Sequence, residues 1–279
     1  MKRQNSLFPF LAVGLCQATY GGLTQATVAY TAREAFCAAA LSGLATAGAL
    51  LALRLVDGQQ LTESDTMSSR LARLVLTAAL VLAAVETAGM LAAVYTRQYP
   101  SGTGWALLLA AAVLVLAPAA GAMDRVACAV LALAAAGGVL LVLGLAGQMQ
   151  LRQISTAPLR LPAIWAAARA MTCFCPEYLT LPVAAARRRW WLLPLWTGLV
   201  QAAAALCTEL VFGFDGGEGG YGAGMLLQVW DMGIFSRLDA LWVWLWLTLA
   251  LLRLLVIGGL LRRIWPGKTE RRVYVHDAG

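Results

Sequence analysis

The chain has 279 residues, of which 61% are hydrophobic and 13% charged, with a formal net charge of +7 and a mean hydropathy of +0.73. An ordinary soluble domain carries roughly 25% charged residues, so too few charges are present to cover a water-soluble surface. No charge lies between Arg3 and Arg33, Glu34 and Arg54, Arg97 and Asp124, or Arg125 and Arg152. Each gap holds a membrane span of roughly 20 residues. The basic residues sit at the ends of apolar runs rather than on a polar face, which argues for membrane topology and against a nucleic-acid partner.

About eight spans are predicted, at 7–29, 35–53, 74–95, 104–122, 126–147, 161–184, 190–213 and 238–261. Lys2 and Arg3 ahead of the first run imitate a signal peptide, but the apolar character continues past an h-region and no small-residue cleavage site follows. Leu15 before Cys16 does not suit a lipoprotein signal either, so this segment is read as the first span. The six cysteines fall mostly within apolar runs, as small hydrophobes rather than a disulfide framework.

An even number of spans puts both termini on one side. With the N-terminus inside, fourteen basic residues (Lys2, Arg3, Arg54, Arg70, Arg73, Arg125, Arg187, Arg188, Arg189, Arg262, Arg263, Lys268, Arg271, Arg272) fall inside and five (Arg33, Arg97, Arg152, Arg160, Arg237) outside. The positive-inside rule therefore predicts a bacterial inner-membrane protein with both termini cytoplasmic. Trp105, Trp165, Trp190, Trp191 and Trp265 fall near span ends as interfacial anchors, and Trp242, Trp244 and Trp246 read as a lipid-facing belt. The run Arg187 to Trp191 reads as a cytoplasmic anchor.

Between the seventh and eighth spans, Gly213 to Gly224 holds seven glycines in twelve residues, with Asp215 and Glu218. It reads as a flexible extracytoplasmic connector; no strand precedes it and no lysine stands at phosphate-loop spacing. Met225 to Ser236 is too short to cross alone and suits a re-entrant or interfacial helix.

Two spans contain what a plain lipid-facing helix avoids. The first has Gln17-Ala-Thr-Tyr-Gly-Gly-Leu-Thr-Gln25, in which Gly21 and Gly22 can leave helical geometry and Thr19, Tyr20 and Thr24 offer hydroxyls. The sixth has Cys173-Phe-Cys-Pro-Glu177, where Pro176 removes a backbone donor and clashes with the preceding turn. Interrupted helices at matching places of two repeats point to a mid-membrane ligand site, because unwound backbone offers N–H and C=O groups. Close helix packing and simple kinks are the alternative use of the same residues.

Cys173 and Cys175 have no second cysteine pair and no neighbouring histidine, so no metal or other cofactor is expected. Ionisable residues within spans are costly and face the bundle interior. They are Glu86, Arg169, Glu177, Glu209, Asp239 and Arg253, with Glu177 foremost because it follows the break, and Glu86 with Arg169 as a neutralising pair. No nucleophile, base and acid can be assembled from these residues, so the chain is expected not to be an enzyme.

The run Gly233-Ile-Phe-Ser-Arg-Leu-Asp-Ala-Leu-Trp-Val-Trp-Leu-Trp, continuing to Leu252-Arg-Leu, resembles the spore-germination permease family, the membrane B subunits of nutrient germinant receptors. Glu177-Tyr-Leu-Thr-Leu-Pro182 is similar to that family's sixth-helix ending, and Ala32-Arg-Glu-Ala-Phe36 to its junction between helices one and two. The resemblance implies an all-α permease fold related to amino-acid and polyamine permeases, with a five-plus-five inverted repeat and helices one and six unwound around a nutrient pocket. Tyr20, Gly21, Gly22 and Thr24 match the first break, and Cys173, Phe174, Cys175 and Glu177 the second. Arg237 and Asp239 match the entry to the eighth helix, and Arg253 the basic residue within it; with Glu86 and Arg169 these are the structural or coupling charges.

On this reading 1–150 is the first repeat, 151–265 a partial second repeat and 266–279 a cytoplasmic tail, and Arg262-Arg-Ile-Trp-Pro-Gly-Lys follows the eighth span where the family continues into two more helices. The implied function is a germinant-receptor subunit in the spore inner membrane that binds a nutrient such as an amino acid and signals to a soluble-domain membrane subunit and a lipoprotein. A secondary amino-acid transporter and a degenerate membrane scaffold are the alternatives.

Overall fold

The computed structural model describes residues 7–24, 30–55, 67–98, 105, 109–110, 112–113, 120–170, 175–180, 190–213, 226 and 238–265. These form α1 (Phe8–Thr24), α2 (Ala32–Leu55), α3 (Met67–Gln98), α4 (Ala120–Leu145), α5 (Leu161–Ala170), α6 (Leu193–Phe212) and α7 (Leu238–Ile264). Three short 3-10 turns, Leu151–Gln153, Pro176–Thr180 and Trp190–Leu192, lie between them, and no strand occurs among the described residues.

Five segments are long and apolar enough to cross a bilayer: Ala32–Ala52, Ser69–Ala93, Met123–Leu145, Trp190–Phe212 and Trp242–Ile264; Phe8–Thr19 is a shorter apolar helix. The fourth predicted span, 104–122, falls mostly outside the described residues. The sixth is not a continuous α-helix, since α5 has 10 residues and the chain next takes up the 3-10 turn at Pro176. At 1.5 Å per residue α5 rises about 15 Å, half of a hydrocarbon core. By contrast α1 stays helical through Gly21 and Gly22 to Thr24, so the expected break at those glycines is not there. Glycine is tolerated within a helix wherever its amide remains bonded in the ladder.

Local chemistry explains several boundaries. Thr31-Ala-Arg-Glu34 is a capping box: the Glu34 amide donates to Thr31 Oγ1 at 3.2 Å and the Thr31 amide to Glu34 Oε2 at 2.9 Å. Two of the orphan donors at the start of α2 are thereby satisfied. Pro194 stands in the first turn of α6, where its missing N–H is not needed. Gly213 closes that helix at φ +76°, a left-handed conformation that favours glycine, while its amide donates to the Glu209 carbonyl at 2.8 Å.

In the packing, α1 touches α4, α6 and α7; α2 runs along α6 and α5; and α3 and α4 both pack on α7. Helix α7 is the axis, with 61% of its membrane window buried against 11% for that of α4. Its inner face joins Phe10, Val13 and Cys16 of α1 and Leu80, Met90 and Leu91 of α3 in the main core. A second seam is almost wholly alanine, Ala35, Ala38 and Ala39 against Ala167 and Ala202. Small side chains of this kind let helices approach closely in lipid, where dispersion rather than hydrophobic exclusion drives association.

The tryptophans depart from the expected belt. Trp244 is exposed, but Trp246 is buried and belongs to the main core, because residues two apart on a helix point about 200° around the axis. Trp190 is likewise buried at the head of α6 rather than anchoring at an interface. Trp105, Trp165 and Trp265 are exposed.

Candidate functional site

The 3-10 turn Pro176–Thr180 meets α1, α3 and α7 inside the bundle. Non-helical backbone at membrane depth is tolerated only where protein surrounds it or a cavity adjoins it. Pro176 sets the turn, and Glu177, Tyr178 and Thr180 are all buried. Thr180 bonds back to the Glu177 carbonyl at 2.7 Å, and the Tyr178 amide to the Cys175 carbonyl at 2.8 Å, so the turn satisfies part of its own backbone.

Glu177 meets Arg253 of α7. The guanidinium donates from Nε to Glu177 Oε1 at 2.6 Å and from Nη2 to Oε2 at 3.4 Å, and both side chains have no exposed area. From Nη1 it donates to Gln17 Oε1 of α1 at 2.6 Å. On the remaining side Glu86 of α3 lies 4.0 Å from Nη2, at the outer limit of an ion pair, with 47% of its side chain exposed. Three groups, from two helices and one turn, thus converge on one arginine of a third helix. Arg253 stands eleven residues before the end of α7, about 16 Å of helix, which is mid-depth in a bilayer.

Beside this node Tyr178 Oη and Thr197 Oγ1 of α6 share a hydrogen bond at 2.9 Å, and Gly14 of α1 lies against them. A Cβ on Gly14 would stand 2.5 Å from Thr197 Oγ1, so the missing side chain is what lets α1 come this close. Cys16 and Cys175 are buried at the same level as free thiols.

A second polar cluster closes the end of the bundle that the charge bias assigns to the outside. Glu209, near the end of α6, accepts the amides of Ala32 and of Ser155, the latter at 2.6 Å. Glu34 accepts the Arg160 amide at 3.0 Å and its Nε and Nη2 at 3.0 Å each. Hydrogen bonding to Glu34 holds the Arg160 guanidinium above its ordinary pKa. At the opposite end Trp265 Nε1 donates to Thr77 Oγ1 at 2.8 Å, tying the end of α7 to the early turns of α3.

Of the residues singled out from sequence, Glu177, Arg253 and Cys175 come together in the node, with Glu86 at its edge. The proposed pairing of Glu86 with Arg169 is not formed: Arg169 is exposed on the short α5, and Glu86 faces Arg253 instead. The Thr19 hydroxyl, read as open to a ligand, donates to the Leu15 carbonyl at 2.7 Å within its own helix. Tyr20, Gly21, Gly22 and Thr24 lie in the last turns of α1, and Asp239 in the first turn of α7; their side chains are outside the described set. Cys173, Phe174 and Arg237 lie outside the described residues altogether, as do the basic run 187–189 and the connector from 214.

Sequence reasoning passed over Gln17 as a site residue, although it is a lone amide within an apolar run. It also passed over Tyr178, Thr197 and Gly14, whose roles depend on α6 and α1 meeting.

No family model matches the chain, and no curated protein and no solved structure matches it either.

Proposed function

We propose that this chain is a non-enzymatic membrane subunit that binds a small nutrient, such as an amino acid, where the 176–180 turn meets α1, α3 and α7. One observation carries the reading: a non-helical segment brings Glu177 into the middle of the bundle, against a buried arginine. Ionisable groups at this depth are expensive, and their usual employment is a ligand or ion site. Broken helices at mid-membrane are also how transporter folds expose backbone to a solute. An amino acid presents both a carboxylate and an ammonium, and the node holds a guanidinium and two carboxylates to receive them.

The finer parts of the proposal rest on the resemblance to spore-germination permeases. They are an arrangement of about eight spans in a partial inverted repeat, the spore inner membrane, and signalling to a soluble-domain membrane subunit and a lipoprotein. The inward orientation of both termini rests on the basic-residue asymmetry.

A secondary amino-acid transporter is the second reading, supported by Glu86, a second carboxylate open at the edge of the node where a coupling ion could act. Isothermal titration of purified protein in lipid nanodiscs with a panel of L-amino acids tests the common core. Saturable binding that Glu177→Gln weakens at least tenfold is expected; binding indifferent to that change would overturn the site. Uptake of the bound amino acid by liposomes containing this chain alone would replace the receptor with the transporter.

A further inference from the structure

We propose that residues 146–160 form an acid-released strap across the outer end of the bundle, latched by the carboxylates of Glu34 and Glu209; this does not depend on the node binding anything. The strap leads from α4 to α5, and none of its residues is buried. Leu151 is 80% exposed, and the 3-10 turn Leu151–Gln153 buries nothing. Met149 touches only the edge of a small cluster around Leu145. A segment with so little apolar burial has low local stability unless polar bonds hold it.

Those bonds fall on two buried acids, Glu34 at the head of α2 and Glu209 near the end of α6. The Ser155 amide donates to Glu209 Oε1 at 2.6 Å, while the other oxygen accepts the Ala32 amide. Arg160 gives Glu34 its amide, Nε and Nη2, each at 3.0 Å, and the Thr31 amide shares Oε2 at 2.9 Å. The first half of the strap is tied differently, by the Gln150 amide to the Leu210 carbonyl at 2.9 Å, a bond that does not titrate. An ionised carboxylate accepts at both oxygens, and bonds to it are stronger than neutral ones. A protonated carboxyl carries a hydrogen of its own and turns it toward an N–H, so a bond is lost. Arg160 is the cation bonded to this pair, and Arg152 is turned to Gln150 Oε1 at 2.7 Å. Tyr30, Arg33, Cys37 and Cys207 are the other titratable or charged groups at this end among the described side chains. Acid outside therefore frees the strap from Ser155 to Arg160, while the bond at Gln150 serves as its hinge. The strap runs on into α5, the half-helix that leads to the 176–180 turn, so external pH reaches the approach to that turn without any change at the Arg253 pair.

Nitroxide mobility, read by electron paramagnetic resonance on the cysteine-free full chain in lipid nanodiscs, tests the latch. One label, at Ala157→Cys, reports the strap, and a second, at Val139→Cys on the exposed face of α4, reports the bundle. The strap label should loosen several-fold and reversibly as the pH falls from about 6 to about 4, around the ordinary glutamate range. The label on α4 should not move. Glu34→Gln together with Glu209→Gln should loosen the strap label at pH 7 and abolish its response to acid. Where that double variant fails to fold, Arg160→Gln, at an exposed position, takes its place and should likewise loosen the label at pH 7. A strap label indifferent to pH, or an acid response that survives in the double variant, would overturn the latch. So would a label that Arg160→Gln leaves as immobile as before. An equal change at Val139 would overturn it too, because the whole bundle and not a strap would then be loosening.

Discussion

Arg253 Nε lies 2.6 Å from Glu177 Oε1, although 76 residues separate them in the chain. The pair fastens α7 to a turn that has no helical ladder of its own. Removing one partner leaves the other charged and buried, which costs about 3–5 kcal/mol, whereas replacing both with apolar residues of similar size is often neutral. Arg253→Met should therefore lower the thermal unfolding midpoint in detergent sharply, and Arg253→Met with Glu177→Met should recover most of the loss. The same double variant should bind no amino acid.

Gly14 is the point of closest approach between α1 and the Tyr178–Thr197 hydrogen bond. Gly14→Ala should destabilise by about 1–3 kcal/mol through overpacking, even though alanine is the better helix former. Adding Thr197→Ala should return part of that loss, because it removes the hydroxyl that the new methyl group meets. Unfolding midpoints of Gly14→Ala, Thr197→Ala and the double variant, measured side by side, check the coupling.

Glu209 gathers two backbone amides from distant segments, those of Ala32 and Ser155. Glu209→Ala strands both donors and should cost about 1–3 kcal/mol for each one left buried without a partner. Glu209→Gln keeps an acceptor oxygen and should be milder. Hydrogen exchange should quicken at Ala32 and Ser155 in the alanine variant, with the amides around Thr77 unaffected.

The orientation is checked by labelling. In a cysteine-free background, Gly217→Cys should react with an impermeant thiol reagent applied from outside, and Gly267→Cys should not. The opposite pattern would reverse the assignment of sides.

Much of this architecture is legible in the residues. The charge-free runs after Glu34 and after Arg125 mark the long apolar helices α2 and α4, Pro176 marks the break, and Glu177 stands out because little else explains a carboxylate there. Thr31-Ala-Arg-Glu34 also announces the start of α2, three residues ahead of the span boundary drawn from hydropathy alone. Hydropathy could not reveal which way a helix faces. Trp242, Trp244 and Trp246 look alike in sequence, yet only their rotation about α7 sends Trp246 inward. Glu86 shows the same limit: opposite charges in apolar runs invite pairing, but its partner is fixed by α3 packing on α7 rather than on α5. Gly21 and Gly22 misled for a different reason. Glycine permits a break without requiring one, whereas proline removes a donor outright.

The separation of Glu177 from Arg253 also sets a timetable for synthesis. At about 5–20 residues per second, the 76 residues between them take roughly 4–15 s to be made. Throughout that interval every helix up to α6 can already be in the membrane while Glu177 has no arginine to meet. The nascent bundle must keep the 176–180 turn near water or near the insertion machinery until α7 arrives. Sealing of the turn is thus a late event, in which α7 carries in the charge that Glu177 meets.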